Sequence, residues 1–306
     1  MDVSGFFDPL PRVLVADDFD RGMSGWLDLR PNFVAPGFRE HSTDIDLIHW
    51  GPTMLSSATF AYGGTHGSAQ GTYSLKISSR ANAARADQPP AAGSMGLAIK
   101  RLAVPPGARR LRVETLFAYK VEQDRPGLGV DDFRAFGLFV DLQDGEHRYM
   151  PGVRYVNAVD GRPVRAWQFY SESDVTDADW SYGTDGWHKA GIDPQWFGER
   201  RSDGSTVATT WFEHGEQHLI YNESDDKLNW TPLSLTIDLL NRSYEEFRVG
   251  GRVHSFPEGA RPTLAPAYND IEGLLNPVFF VEADTDRRVS LFLDSVLVSA
   301  DSEARS

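Results

Sequence analysis

The segment at residues 289–299 constrains the fold most, because it is apolar on both sides of a predicted strand. It reads Val-Ser-Leu-Phe-Leu-Asp-Ser-Val-Leu-Val-Ser. Successive side chains of a β-strand point to opposite faces, and apolar residues here occupy both parities, so the strand needs cover on each side. One carboxylate, Asp294, interrupts the run and is costly to bury unless a cation or backbone donors meet it. The segment therefore predicts a strand that closes a β-sandwich, with Asp294 tying it to the N-terminal strand.

Short segments with alternating apolar residues recur along the rest of the chain, separated by turn residues. The 306 residues include 28 Gly and 18 Pro, scattered rather than clustered, which suits many turns between short strands. The predicted strands are 12–19, 73–78, 95–102, 111–120, 134–142, 148–157, 206–213, 217–221, 233–240, 244–249, 277–283 and 289–299. We therefore predict an all-β fold forming a single domain over 1–306, because β-sandwiches often exceed the usual domain size.

Charge and composition exclude several classes of function. The formal net charge of −14 argues against nucleic acid or an anionic membrane surface as the partner and favours a neutral or cationic ligand. The absence of cysteine excludes disulfides, thiolate metal sites and thiol nucleophiles. The N-terminus is acidic and lacks the apolar core of a secretory signal, and no apolar run approaches the roughly 18 residues of a membrane helix. We interpret the chain as a soluble cytoplasmic protein.

Residues 158–229 differ in character from the rest of the chain, because tryptophans concentrate there among Gly and Asp. Six of the eight tryptophans lie in this segment or just after it: Trp167, Trp180, Trp187, Trp196, Trp211 and Trp230. Loops of this length are uncommon unless functional, so we interpret the segment as a Trp-rich loop insertion that carries a site or an interface. Indole rings stack on the apolar face of sugars, which makes Trp167, Trp187, Trp196 and Trp211 candidate substrate-binding residues. A satellite core and a homodimer arm are alternative uses of the same residues.

Three carboxylates fall on the less apolar parity of their predicted strands: Glu114, Asp141 and Glu282. Glycoside hydrolysis needs two carboxyl groups across the scissile bond, about 5–5.5 Å apart for retention or about 6.5–9.5 Å for inversion. Glu282 stands beside bulky apolar residues, which would raise its pKa and suit a general acid. Arg154 on a neighbouring strand could bind a sugar hydroxyl or a uronate. The alternative is that these carboxylates form salt bridges on a solvated sheet face.

A polysaccharide lyase is a second catalytic hypothesis, in which a base abstracts the proton next to a neutralised uronate. The residues that suit it are His147, Tyr149, Arg154, Tyr155 and His66. No spacing in the sequence brings them together, and the two tyrosines equally suit core or rim positions. The histidines form no zinc-binding motif, and there is no phosphate-binding glycine loop, nucleophile elbow or dinucleotide fingerprint.

Three pieces of sequence, in this order, resemble the jelly-roll carbohydrate-binding modules and related concanavalin-A-like sandwiches. They are Asp-Asp-Phe-Asp at 17–20 with Gly-Trp at 25–26, the glycine-rich turn and strand at 66–76, and Phe-Leu-Asp-Ser-Val-Leu-Val at 292–298. The whole chain also looks like a bacterial family of this architecture that has no assigned function. The resemblance implies that the first and last strands lie side by side. It also implies a structural Ca²⁺ held by Asp18 or Asp20, by Asp294 and by backbone carbonyls near 71–73. The alternative is a capping or turn role for each aspartate.

Together these features predict a jelly-roll, concanavalin-A-like β-sandwich with a long Trp-rich loop insertion. The predicted function is recognition and processing of a carbohydrate, as a glycoside hydrolase or lyase acting on oligosaccharides inside the cell. The alternative function is a non-catalytic carbohydrate-binding or structural protein in which the insertion builds a homo-oligomer. Sandwiches of this type host both roles.

Overall fold

The structure is a computed structural model, and it describes residues 5–28, 53–57, 68–79, 95–121, 129–170, 199–200, 206–207, 211–221, 229–262, 264–267, 270–285 and 287–302. The strands, in chain order, are β1 Arg12–Asp17, β2 Leu27–Asp28, β3 Thr53–Ser57, β4 Tyr73–Ser78, β5 Met95–Ile99, β6 Leu102–Ala103, β7 Ala108–Val121, β8 Phe133–Gln143, β9 His147–Tyr149, β10 Gly152–Val159, β11 Arg162–Tyr170, β12 Glu199–Arg200, β13 Thr206–Val207, β14 Trp211–Glu216, β15 Thr231–Asp238, β16 Ser243–Val249, β17 Arg252–His254, β18 Ala265–Pro266, β19 Leu274–Ala283 and β20 Val289–Ser302. A 3-10 helix lies at Val130–Asp132, and these ranges contain no α-helix.

Two antiparallel sheets pack face to face. Sheet A has the strand order β17-β16-β15-β7-β20-β4-β3, with β1 also paired to β20. Sheet B has the order β14-β11-β10-β8-β19-β5-β2, with β6, β9 and β18 attached at its margins. The predicted all-β, jelly-roll sandwich of concanavalin-A-like type is confirmed.

The core lies between the sheets and follows the alternation of each strand. On β7 the inward residues include Leu111, Val113 and Phe117, and on β8 they include Phe136 and Leu138, all of them buried. Intervening residues therefore point to the outer face of each sheet. Many of these outward side chains are also buried, so the outer faces of both sheets are shielded from solvent at their centres.

Strand β20 runs through the middle of sheet A and joins the two ends of the chain. It pairs with β7 along one side, and along the other side with β4 at Ser290 to Leu293 and then with β1 at Val296 to Ala300. The first and last strands lie side by side, as the resemblance implies.

A β-bulge stands where β20 changes partner. The register against β7 shifts between Asp294 and Leu297, and Ser295 takes a positive φ of 59°. The extra residue exchanges the two faces of the strand, so Leu293 and Val296 both point into the core. Simple alternation would instead group Leu297 with Leu293.

The insertion contributes regular structure that the sequence prediction treated as loop. Strand β11 lies inside 158–229 and pairs with β10 across a tight turn at Asp160 and Gly161. Such Asp-Gly pairs favour two-residue hairpin turns. The strands predicted separately at 206–213 and 217–221 are wrong, because one strand, β14, covers Trp211–Glu216 and pairs with β11. The segment predicted as one strand at 148–157 is two strands, β9 and β10.

Polar contacts of Tyr244 and Arg242 connect the sheets at one end of the sandwich. The hydroxyl of Tyr244 on β16 accepts a hydrogen bond from the Gly152 amide at 2.8 Å and lies within hydrogen-bond distance of the Gly152 and Tyr170 carbonyl oxygens. Arg242, in the turn before β16, pairs with Asp144 at 2.7 Å and with Glu146 at 2.9 Å. These contacts fix one end of sheet A against the backbone and turns of sheet B.

Candidate functional site

The outer face of sheet B carries a small aromatic surface that two glycines make possible. A Cβ at Gly152 would lie 2.4 Å from the ring of Phe139, and a Cβ at Gly137 would lie 2.6 Å from the ring of Phe280. Only glycine leaves room for rings this close to the backbone. The centroids of the Phe139 and Phe280 rings are 5.5 Å apart, and Tyr170 meets Phe139 edge-on at 6.4 Å. All three aromatic side chains are buried.

Polar side chains stand directly beside this aromatic surface. Arg154 is opposite Gly137 in the strand pairing, and its Nε donates to the Gln168 side-chain oxygen at 2.8 Å. Beyond one end of the surface, Asp141 accepts two hydrogen bonds from Arg148, at 2.8 and 2.9 Å, and one from the side-chain amide of Asn276 at 3.0 Å. A bidentate pair of this kind holds both partners in fixed positions.

An arginine joins two carboxylates at the other end of the same face. The Nε atom of Arg134 lies 3.2 Å from Glu282, and its Nη1 lies 3.4 Å from Asp284. Asp284 also accepts the amide of Gly161 at 2.6 Å, which connects this cluster to the β10–β11 turn. Glu282 and Asp284 are both buried, so the arginine offsets two charges that would be costly to bury alone.

The three carboxylates predicted as catalytic do not come together. Asp141 lies opposite Asn276, and Glu282 lies six residues further along β19, about 20 Å away at the usual strand rise. Glu114 points to the outer face of sheet A, on the opposite side of the sandwich. These positions do not form the carboxyl pair that glycoside hydrolysis requires. The catalytic assignment of Glu114, Asp141 and Glu282 stays a prediction.

Glu114 is buried beneath the N-terminal segment of the chain. Its Oε1 atom accepts the amide of Asp8 at 2.8 Å, and its Oε2 atom is buried without a hydrogen-bond partner among the described residues. Burial raises the pKa of Glu114, and the Asp8 amide and the Arg112 charge oppose that rise. Arg112 in turn pairs with the Asp8 carboxylate at 2.9 Å. The surroundings of Glu114 therefore hold the N-terminal segment against sheet A.

The predicted substrate-binding residues are dispersed. Trp167 lies in the core, where its ring meets Phe247 at 4.8 Å and its Nε1 donates to Gln217 at 2.9 Å, so it cannot stack on a ligand at a surface. Trp211 begins β14, but its side chain lies outside the described residues, as do Trp187 and Trp196. His147 lies on β9, with its Nδ1 at 3.8 Å from the Glu146 carboxylate. Of the predicted residues whose side chains the structure describes, only Arg154 borders the aromatic surface.

The predicted metal ligands surround the turn that precedes β4. Asp294 is fully buried, and its Oδ2 atom accepts the Gln70 amide at 2.7 Å. Asp20, which follows β1, accepts the amides of Thr72 and Tyr73. Burial raises the pKa of Asp294 to about 6, the charge of Asp20 adds to the rise, and the turn amides oppose it. Two carboxylates thus meet one turn from two sides.

Asp18 makes a local contact instead. Its Oδ1 atom accepts the amide hydrogen of Asp20 at 3.1 Å, which stabilises the turn after β1. In the part of the chain that the structure describes, no group of three or more His, Asp or Glu side chains is placed to hold a metal ion. A Ca²⁺ ion here would depend on Asp20, Asp294, backbone oxygens and water.

The residues that build the aromatic surface were not predicted from the sequence as a site. Gly137 and Phe139 alternate with the core residues of β8, and that alternation marked them only as the less apolar face. A glycine inside a strand indicates close approach of another group, and this signal could have pointed to the neighbouring aromatic rings. Pairing of Gly137 with Phe280 depends on the sheet register, which the sequence alone does not show.

Solved structures with a similar strand layout share little sequence with the chain. The cellulose-induced protein Cip1 has a TM-score of 0.42 and 13% identity, covering 93% of this chain and 96% of that one. A carbohydrate esterase from the Shiga toxin-encoding bacteriophage phi24B gives 0.40 and 11%, covering 91% of each chain. The carbohydrate recognition domain of Emp47p gives 0.39 and 11%, covering 76% of this chain and 86% of that one.

Comparisons of sequence give one match that spans nearly the whole chain. A family model described as a domain of unknown function, DUF6772, matches residues 3–302. No curated protein matches the sequence. No helical segment in the described part of the chain could span a bilayer.

Proposed function

The chain belongs to the DUF6772 family, and we propose that it binds a carbohydrate on the outer face of sheet B. The supporting observation is the aromatic surface of Phe139, Phe280 and Tyr170, laid close to the backbone over Gly137 and Gly152. Pyranose rings have an apolar face that packs on aromatic rings and hydroxyl groups that need polar partners. An aromatic surface bordered by fixed polar groups combines both requirements.

Polar groups along the border would supply hydrogen bonds and orientation. Arg154 and Gln168 hold each other at 2.8 Å beside the rings, and the Asp141–Arg148 pair closes one end. Groups already held in place lose little conformational entropy on binding, which favours affinity. The three rings are buried, so a sugar reaches them only when this face opens. Binding is therefore expected to be coupled to a change in the accessibility of sheet B.

A structural role is the second candidate, and the burial of the same face favours it. Buried rings and paired charges on the outside of a sheet are also what an internal packing layer or an oligomer contact would contain. In that case the aromatic surface stabilises the protein and binds no ligand. The two candidates differ in one measurable property, which is whether an oligosaccharide binds to sheet B.

Binding is tested with a panel of neutral and uronate oligosaccharides, by thermal shift and then by calorimetry. The wild type is expected to bind at least one of them. Phe280→Leu keeps an apolar side chain but removes the ring, and is expected to weaken binding by about two- to tenfold, since an aromatic contact contributes roughly 0.5–1.5 kcal/mol. Arg154→Gln keeps hydrogen-bond donors while removing the charge, and is expected to weaken uronate binding more than neutral sugar binding.

Phe292→Leu is the matched control, because Phe292 is a buried phenylalanine on the outer face of sheet A. It is expected to bind as the wild type does. If no oligosaccharide binds, or if Phe292→Leu weakens binding as much as Phe280→Leu, the carbohydrate proposal is wrong and the structural role is retained.

Catalysis is a separate question from binding. The hydrolase and lyase hypotheses are tested by product analysis of any bound oligosaccharide, with Asp141→Asn and Glu282→Gln as variants on the sheet B face and Glu114→Gln, on the opposite face, as their control. Turnover lost in either variant, with binding retained, would give that carboxylate a catalytic role. An absence of products from the wild type would leave a binding protein.

We also propose a structural Ca²⁺ between Asp20 and Asp294. Carboxylate oxygens are ligands that Ca²⁺ prefers, and a cation would offset the burial cost, and the smaller repulsion from Asp20, that raise the pKa of Asp294. The amides of Gln70, Thr72 and Tyr73 already use part of the oxygen capacity. A bound ion would use the remaining lone pairs, and it would hold β1, β4 and β20 together.

A further inference from the structure

Two histidines meet where the edges of the two sheets come together. His214 lies on β14, the edge strand of sheet B, and His254 lies on β17, the edge strand of sheet A. Their ring centroids are 5.3 Å apart. Each residue therefore belongs to a different layer of the sandwich, and their contact closes one side of it.

The hydrogen bonds of His254 define which of its nitrogens carries a proton when the ring is neutral. Its Nε2 atom lies 3.1 Å from the side-chain oxygen of Gln217, whose orientation is fixed because the same oxygen accepts the Trp167 indole N–H at 2.9 Å. Nε2 must therefore donate. Nδ1 lies 3.4 Å from the His214 carbonyl oxygen and is left as a lone pair facing an acceptor. A second proton on His254 would complete that hydrogen bond.

His214 has surroundings of the opposite kind. Its ring stacks on Phe256 at a centroid distance of 4.6 Å and an angle of 18°, and meets Phe169 edge-on at 5.2 Å. Its Nε2 atom is buried and has no hydrogen-bond partner among the described residues. A proton on His214 would create a charge in an apolar pocket with nothing placed to solvate it.

We infer that the His214–His254 pair is an acid-sensitive contact that holds the edges of the two sheets together while at least one ring is neutral and lets β14 and β17 separate when both are charged. The first proton goes to His254, which has an acceptor at each nitrogen. The second goes to His214 and places two cations 5.3 Å apart by ring centroid. Separation of the edge strands would expose both rings to water and relieve that repulsion.

The charged and titratable groups around the pair favour this sequence of events. Arg252, on β17 beside His254, opposes protonation of both rings, and the charge of His254 opposes protonation of His214. The His214 carbonyl oxygen, in contrast, favours protonation of His254. The residues that face the rings from β11, from β16 and from the segment after β17 are Phe169, Phe247 and Phe256, none of which titrates. None of these three facing residues is a carboxylate that could stabilise a second positive charge.

The sign of the pH dependence follows from the lowered pKa values. Burial is the main cause of the lowered pKa of His214, about 4, and burial also lowers the pKa of His254. A histidine with a lowered pKa binds fewer protons when the edge strands are in contact than when they are separated and the ring meets water. The contact is therefore fully stable above the pKa of the separated state, and it is lost as the pH falls toward the pKa of the closed state. The two rings titrate as a coupled pair. Closure is therefore expected to weaken between about pH 6.5 and about pH 4.

Amide hydrogen exchange at pH 6.5, 5 and 4, corrected for intrinsic exchange rates, tests this contact in the wild type. The protection factors of amides in β14 and β17 are expected to fall by on the order of 100-fold across this range. Uptake of one proton on opening changes the opening equilibrium about tenfold per pH unit, and it acts over about two units. Protection of β8 and β19, in the middle of sheet B, is expected to stay within about threefold. Uniform loss across all strands, or no loss at β14 and β17, would overturn the inference.

His214→Phe keeps a flat ring against Phe256 and removes the proton site. It is expected to keep β14 and β17 protected at pH 4, with the acid-induced change reduced at least tenfold relative to the wild type. His218→Gln is the matched control, because His218 is exposed and only four residues away, and it should respond to pH as the wild type does. A His214→Phe protein that loses edge protection on acidification as the wild type does would contradict the inference. If that variant does not fold, the strand-by-strand exchange of the wild type decides.

Discussion

The buried carboxylate of Asp294 accepts the amide hydrogen of Gln70 at 2.7 Å, joining residues 224 positions apart in the sequence. The contact lies where β20 exchanges one neighbouring strand for another, and Asp20 meets the same turn from the other side. These contacts hold the ends of β1 and β4 beside the bulge of β20. The cost of burying Asp294 is offset by turn amides and, in our proposal, by a cation.

Removal of Ca²⁺ is expected to lower the melting temperature of the wild type. In the presence of a chelator, the charges of Asp20 and Asp294 are offset by the turn amides alone, and the junction of β1, β4 and β20 loses a ligand that binds only the folded state. Asp294→Asn retains an oxygen for the Gln70 amide but removes one charge, so its melting temperature should not respond to Ca²⁺. Differential scanning calorimetry with and without chelator measures both.

Asp160→Asn is the control for that comparison, because Asp160 is on the β10–β11 turn at a positive φ that asparagine also adopts. This variant should keep the Ca²⁺ response of the wild type. Equal melting temperatures for the wild type at high and low free Ca²⁺ would eliminate the proposed ion.

Gly152→Ala is expected to destabilise the protein by about 1–3 kcal/mol, the usual cost of overpacking. The new Cβ would meet the Phe139 ring at 2.4 Å, and the ring would have to move. Urea unfolding measures the change, and the double variant Gly152→Ala with Phe139→Leu should recover part of the loss. Gly5→Ala serves as control because nothing lies within 4 Å of its Cβ position. An unchanged midpoint for Gly152→Ala would mean that the ring is not held against the sheet.

Tyr244→Phe is expected to cost about 1–3 kcal/mol of unfolding free energy. The change removes a hydroxyl that accepts the Gly152 amide and lies close to two carbonyl oxygens, leaving buried backbone groups without a partner. Tyr149→Phe removes a hydroxyl from another buried tyrosine and provides the comparison. Chemical unfolding of both variants tests the assignment, and equal losses would argue that Tyr244 is not a special connection between the sheets.

Arg242→Asn is expected to lower the melting temperature at neutral pH, because it breaks the pairs with Asp144 and Glu146 that connect two turns. Burial alone would raise the pKa of Asp144, but hydrogen bonds from Arg242 and from the His147 and Glu146 amides outweigh it and lower the pKa. A carboxyl group whose pKa is lowered by folding stabilises the fold at pH values above its pKa in the unfolded chain, near 3.8. That stabilisation is lost as the pH falls below this pKa.

The difference between wild type and Arg242→Asn should therefore shrink as the pH is lowered from 6 to 3, and also at high salt. Melting curves at several pH values measure it. Arg162→Asn, at an exposed position on β11, should show no such trend. A difference that is constant with pH would mean that the ion pairs contribute little.

The architecture could be predicted from the sequence because alternation decides which side chains are buried. Residues such as Phe136 and Leu138 on β8 fall on the core face as their parity indicates. The side-by-side placement of the first and last strands was also available, from a resemblance carried by short motifs at both ends. Strand β11 was missed because its polar residues and Pro163 obscure the alternation, although the Asp-Gly turn before it was a usable signal.

The arrangement of the site could not be obtained in the same way. Parity places Glu114, Asp141 and Glu282 on outward faces, but it does not show which sheet each strand joins, and here Glu114 is on the other side of the sandwich. Trp167 was assigned to a ligand surface from composition, whereas the register of β11 turns it into the core. Both outcomes depend on pairing between strands far apart in sequence.

The extra residue in β20 has a consequence for how this chain can change. Deleting Ser295 would remove the bulge and leave Val296 and Val298 facing the core, whereas losing a residue between Val296 and Ser299 would turn the positions beyond it to the opposite face. Substitutions along the strand alter one side chain at a time, whereas a change of length alters the whole segment that lies against β1. Beyond the bulge, the last strand should therefore tolerate new residues far more readily than a gain or loss of one position.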